Sequence, residues 1–239
     1  MTSRSPRFEE LDWRETRIGA ISLRRRVEPT LGVDVYEVKL GDEFLMSSLF
    51  TVAEVELARL GLAALGGTDL DVVVGGLGLG YTAAAVLEDP RVRSLGVVEA
   101  LGEVIGWHDR ELLPVSAGLV ADPRCRFVHG DFFAMVEAGH LGAPGLRYDA
   151  VLVDIDHSPR HVLDPGHAGL YTRDGLARVR SLLTAGGVFA LWSDDPPEAE
   201  FEEVLRQVFP GATSHVVAFD NPLTGGRSAN TVYVAVRQG

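Results

Sequence analysis

The chain has 239 residues, 46% of them hydrophobic, which is material for one large domain or one domain with a small appendage. A net charge of −12 argues against a nucleic-acid partner, because binding a phosphate backbone needs clustered cations. Cys125 is the only cysteine, which excludes a disulfide framework and a cysteine-based zinc site. With no apolar leader and no run of membrane-spanning length, the expected location is the cytoplasm.

In chain order, residues 18 to 46 alternate in character ("AISLRRRV", "VDVYEVKL", "EFLM") between Pro29, Gly32 and Gly41. Period-two alternation between turn signals predicts a small antiparallel sheet, with "LRRR" as a solvated strand face. "TVAEVELARLGLAAL", residues 51 to 65, carries apolar residues at helical spacing and stops at Gly66 and Gly67. From residue 70 onward, short apolar runs alternate with helical stretches: "LDVVVGG", "SLGVVEA", "CRFVHGD", "YDAVLVD" and "GGVFALW". That alternation suits buried parallel strands of a doubly wound α/β sheet. "SHVVAF" and "TVYVAV", joined by "DNPLTGGRSAN", read as a closing antiparallel hairpin. The division expected is residues 1–50 as a small β region and 51–239 as a nucleotide-binding domain.

"DVVVGGLGLGYTAAAVLE" is a strand, a glycine loop (Gly75, Gly76, Gly78, Gly80) and an alanine-rich helix. Glycines let a backbone turn tightly and approach a ligand closely. Glu99 ends the second run at the spacing where an acid accepts from ribose hydroxyls, and Asp131 in "HGDFF" could accept from an adenine amino group. The bland alternative is a tight β–α turn with Glu99 as a solvated strand end.

These stretches, with "VVEALGEVI", "GDFFAMV", "YDAVLVDIDHSP" and "LLTAGGVFALW", resemble the class I AdoMet-dependent transferase fold, and more narrowly spermidine synthase. The resemblance covers roughly residues 18 to 236. It implies a mostly parallel seven-stranded sheet with a C-terminal antiparallel hairpin and a small N-terminal sheet. It also implies AdoMet or decarboxylated AdoMet as cofactor, a small-molecule acceptor such as an amine, and a homodimer. By position, Gly75 to Gly80 match the loop beside the methionine part of the cofactor. Glu99 matches the ribose acid, Asp131 the adenine acid, and Asp154 the acid that helps deprotonate the attacking amine. Three positions depart from the family. Gly78 stands where its loop has an aspartate, His157 stands where a second acid follows the catalytic one, and the Tyr-His-Glu signature has no clear counterpart in "MSSLFTVAEVELARL". Only Glu54 and Glu56 supply acid there.

In "VLVDIDHSPRH" the candidate catalytic residues are Asp154 and His157. Asp154 anchors cofactor or acceptor, and His157 can move a proton because an ordinary imidazole titrates near neutrality. A capping carboxylate and a loop imidazole are the plain alternatives, and Asp156 reads as solvated. Asp194 and Asp195 in "WSDDPP" could join Asp154 around Mg²⁺, but they read better as a helix start, so no metal site is expected. Tyr171 lines an acceptor pocket or belongs to the core. Three functions are carried forward. Methyl transfer from AdoMet to a small molecule comes first, then aminopropyl transfer to a polyamine, then a catalytically silent nucleoside-binding homologue. A long acidic cavity at Asp154 would favour the second. A buried Asp154 with no connected cavity would favour the third.

Overall fold

The computed structural model describes residues 7–16 and 19–239. Residues 1–6, read as lacking a leader, and residue 18, where the alternating stretch begins, lie outside the described residues. Four strands, β1 (Phe8–Thr16), β2 (Gly19–Val27), β3 (Asp34–Leu40) and β4 (Glu43–Ser47), form an antiparallel meander in chain order. The sequence reading missed β1. Glu10, Arg14 and Glu15 are exposed, as suits an edge strand, but so are Phe8 and Trp13, and this mixture hides the alternation. The "LRRR" stretch lies on β2 as expected. Arg24 and Arg26 both bond Glu37 of β3, at 3.1 and 2.8 Å.

Helix α1 (Val52–Ala63) leads into a seven-stranded sheet of order β10-β11-β9-β8-β5-β6-β7. Its parallel strands are β5 (Leu70–Gly75), β6 (Val92–Glu99), β7 (Cys125–His129), β8 (Tyr148–Val153) and β9 (Leu183–Ser193). The antiparallel pair β10 (Thr213–Asn221) and β11 (Gly226–Val236) closes one edge. The hairpin is longer than expected. Asn221 pairs with Gly226, so most of "DNPLTGGRSAN" is strand and only residues 222–225 turn.

Successive side chains of a strand face opposite ways, and both faces are covered. Val72, Val74 and Leu152 pack under α1, α2 (Tyr81–Leu87), α3 (Gly102–Asp109) and α4 (Ser116–Ala121), in one core with Ile21, Leu23 and Val38 of the small sheet. Val73, Val151, Val153 and Phe189 pack under α5 (Phe132–Glu137), α6 (Arg173–Leu182) and α7 (Ala199–Val208). A 3-10 turn, Pro165–Tyr171, adds Leu170 and Tyr171 to this second core, so Tyr171 is core. Where β5 lies beside β8, the chain's progress across the sheet reverses. Ligands bind outside the carboxyl ends of strands at such a point. Gly76 and Asp154 follow those two strands directly. Among the described residues no helix is long and apolar enough to cross a membrane.

Candidate active site

Two cavities meet at Asp154. The larger, about 1180 Å³, runs from Met46 of the small sheet past Gly76, Gly78 and Glu99 to Asp131, Phe133 and His167. The smaller, about 550 Å³, lies between the small sheet, α1 and the ends of β9 and β11, and is lined by Glu54, His157, Asp194 and Phe219. Asp154 and Gly78 line both.

The glycine loop is shaped by contacts no side chain would permit. At Gly76, with φ of +93°, a Cβ would stand 2.1 Å from the Asp154 carbonyl oxygen. That carbonyl is close because the Asp154 N–H donates to the Gly75 carbonyl at 2.8 Å, which extends the β5–β8 ladder to the site. Gly75 itself lies outside both cavities, under the Phe132 ring. Gly80 lines only the smaller one.

Glu99 accepts from the Leu77 N–H with Oε2 (3.1 Å) and from the Leu101 N–H with Oε1 (2.9 Å). Burial raises its proton affinity and these backbone donors oppose the rise. Glu99 lines the larger cavity. Asp131 caps α5, accepting with Oδ1 from Phe133 and Ala134 (2.9 and 3.1 Å), and no hydrogen bond engages Oδ2 among the described residues.

Asp154 Oδ2 accepts from the Thr82 hydroxyl at 2.6 Å. Burial pushes its carboxyl up to about 6, against the Thr82 hydrogen bond. Glu54 on α1 is pushed further, to about 8, first by burial and then by the charge of Asp154. The two acids titrate as a coupled pair, both raised by burial and Glu54 further by the charge of Asp154. Glu54 is the functional residue that sequence reasoning did not single out. The available signal was helical phase: Glu54 shares a stripe with Leu57, Ala58, Gly61 and Leu62, the face α1 buries. Glu56 instead pairs with Arg59, at 3.3 Å.

The structure separates the rest of "DIDHSPRH". His157 lines the smaller cavity, but its Nε2 faces Glu43 at 3.7 Å. Asp156 is buried, not solvated. It accepts from the Leu163 N–H (2.8 Å), His167 Nδ1 (2.8 Å) and the Tyr171 hydroxyl (2.6 Å), and this organises the loop after β8. His167 in turn stacks on Phe133 with ring centroids 3.7 Å apart. Asp194 accepts from Asn230 Nδ2 at 2.6 Å, whereas Asp195 turns to His161 Nδ1 at 2.9 Å. Among the described residues no group of three or more His, Cys, Asp or Glu side chains could hold a metal ion.

The sheet order, the glycine loop at the switch point and the acids at successive strand ends define the class I AdoMet-dependent transferase fold. The small N-terminal sheet gives it the form seen in spermidine synthases. Spermidine synthase in complex with the transition-state analogue AdoDATO superposes with a TM-score of 0.72 at 19% identity, covering 95% of this chain and 73% of that one. The Thermotoga maritima spermidine synthase gives 0.69 at 18% identity, covering 95% and 72%. No protein-family model matches the chain. In sequence, it is 34% identical over 152 residues to polyamine aminopropyltransferase 2 of Pseudomonas aeruginosa, spanning 61% of this chain and 41% of that protein. It is 28% identical over 149 residues to putrescine N-methyltransferase 3 of Nicotiana tabacum, spanning 60% and 36%. The chain thus spans less than half the length of these curated relatives.

Proposed function

We propose that the chain is an adenosyl-donor-dependent transferase that moves an aminopropyl group from decarboxylated AdoMet to a primary amine of a diamine. The observation that carries this is the position of Asp154, whose carboxyl lines a donor-sized cavity and an acidic acceptor cavity at once. That connected cavity is the feature a silent homologue would lack. Similarity to polyamine aminopropyltransferases supports the same reading.

The larger cavity fits an adenosyl donor. Gly76 lines it at a turn where any Cβ would strike the Asp154 carbonyl, the Glu99 carboxylate suits ribose hydroxyls, and Asp131 Oδ2 suits an adenine amino group. Gly78 lines the tail of that cavity, and Gly75 and Gly80 shape the loop. The bound donor would supply an electrophilic carbon on its sulfonium sulfur. The residues supply the rest. Asp154 and Asp194 attract an ammonium into the smaller cavity beside Glu54, where Arg26 is already paired with Glu37. Asp154, with its proton affinity raised toward neutrality, takes a proton from that ammonium and frees the lone pair for in-line attack. Thr82 fixes the carboxylate, and His157 at the rim relays the proton outward.

A second reading, methyl transfer to the same diamine, is favoured by Gly78 and by similarity to putrescine N-methyltransferases. Incubation with each donor and a diamine, followed by mass spectrometry, separates them. Methylthioadenosine from decarboxylated donor supports aminopropyl transfer, S-adenosylhomocysteine supports methyl transfer, and neither product in any pairing overturns both.

A further inference from the structure

His108 takes no part in the chemistry above, yet both its ring nitrogens are engaged at full burial. Nε2 lies 2.9 Å from the Gly78 carbonyl oxygen and Nδ1 lies 3.0 Å from Ser116 Oγ. A carbonyl only accepts, so Nε2 carries the proton. Burial lowers the imidazole's proton affinity, so the ring is neutral and Nδ1 accepts from the Ser116 hydroxyl. Ser116 is itself fully buried. The ring is seated against the back of the glycine loop, since a Cβ on Gly80 would stand 2.7 Å from His108 Cε1.

Leu77 and Leu79 anchor the loop through buried side chains, which leaves the glycine backbone between and beside them to be fixed by hydrogen bonds. Gly78 and Gly80 have φ of +47° and +89°, and neither has a side chain with which to anchor itself. The Leu77 N–H is fixed by Glu99, and the Gly80 N–H by the Leu77 carbonyl at 2.8 Å. Between these ties the Gly78–Leu79 peptide is steered by its carbonyl. A peptide plane turns as a unit, so a carbonyl released from His108 would be free to swing into the cavity that Gly78 lines.

Resting on the reading of that cavity as the donor site, we infer that His108 is a positioning residue. Through its Nε2–H bond to Gly78, with Ser116 fixing the tautomer, it sets the peptide against which the donor's tail lies.

The test is calorimetry and thermal melting on the wild type, His108→Phe and His108→Gln. The titrants are methylthioadenosine, which lacks the tail, and whichever of AdoMet and decarboxylated AdoMet the wild type binds more tightly. His108→Phe should weaken the full donor about tenfold or more, the scale of one buried hydrogen bond, and methylthioadenosine less than about threefold. Gln retains an N–H within reach of the same carbonyl and should bind within about threefold of wild type. Equal donor affinity in wild type and the Phe variant would overturn the inference. So would equal losses for donor and methylthioadenosine, or equal losses in the Gln and Phe variants. If the Phe variant fails to fold, Ser116→Ala decides. It should weaken the donor about threefold or more through loss of tautomer control, and unchanged affinity overturns the inference. A wild type that binds none of the three ligands refutes the donor-site reading, and the inference falls with it.

Discussion

Replacing Glu54 with glutamine should stabilise the fold at alkaline pH while impairing turnover. The native carboxyl is raised from an ordinary 4.5 to about 8, first by burial and then by Asp154. Between those values the folded chain holds a proton that the unfolded chain has released, so stability falls as pH rises through the window and levels off above it. At about 1.4 kcal/mol per pH unit the full loss is about 5 kcal/mol. The side chain opens onto a cavity, and solvent screening reduces the figure, so about 2–5 kcal/mol is the expected range. Glutamine keeps the shape and cannot ionise. Urea denaturation should therefore show wild type and Glu54→Gln within about 1 kcal/mol at pH 5, and the variant ahead by the larger amount at pH 8.5. Above about pH 8, where the native Glu54 ionises, the KM for a diamine should be higher in the variant than in the wild type. A stability difference that is the same at both pH values would refute the argument, since it would mean that Glu54 ionises freely in the folded chain.

Asp154→Asn should cut kcat/KM by about 100-fold or more if the group is the base, and leave thermal stability equal or higher. The wild-type acid limb near pH 6, set by protonation of Asp154, should vanish with it. Glu99→Ala should weaken donor binding by about 1.5–3 kcal/mol in calorimetry, the scale of a lost charge-assisted hydrogen bond. Asp156→Ala should lower stability by about 3 kcal/mol or more in urea titrations, because three donors lose a buried acceptor. EDTA should leave turnover unchanged. Loss of activity restored by Mg²⁺ would move Asp194 and Asp195 into the site.

The doubly wound sheet was legible because its strands are buried on both faces and so appear as unbroken apolar runs, from "LDVVVGG" to "GGVFALW". The edge strand β1 was not, since charged residues interrupt it and the aromatics Phe8 and Trp13 are themselves exposed, so no apolar alternation shows. Glu99 and Asp154 were expected at the cavity because one ends β6 and the other directly follows β8, where sheet geometry dictates where the side chain goes. Asp131 and the loop glycines lie close behind the ends of β7 and β5. Asp156 and His157 are three and four residues past β8, and there the loop decides: it turns the first inward to Tyr171 and the second outward to Glu43. Glu54 was hidden by distance along the chain. It meets Asp154 across 100 residues, and only its phase on α1 hinted that it was buried. His108 gave no hint, because its partner is a backbone carbonyl, which every residue carries.

Gly78 and Met46 show a substitution whose meaning appears only in three dimensions. By resemblance, an acid at position 78 would face the donor's ammonium. Here a Cβ on Gly78 would stand 3.1 Å from Met46 Sδ, and φ of +47° disfavours any side chain. The space is filled by a thioether from β4, so the small sheet replaces the acid with apolar packing and does not simply leave a gap. An ammonium in the donor's tail must then find its charge elsewhere, because an unpaired buried cation costs several kcal/mol. Asp154 is the carboxylate that lines both cavities, and Glu54 lines the smaller one beside it. If Glu54 holds its proton, Asp154 must serve both the donor's tail and the acceptor's amine. A donor that carries its own carboxylate beside the amine relaxes that demand. The pairing of Gly78 with Met46 thus weights the site toward AdoMet, while the acidic smaller cavity weights it toward a diamine. On the proposed reading, the two donors would differ by the charge of one tail, which would lie beside the contact between β4 and the glycine loop.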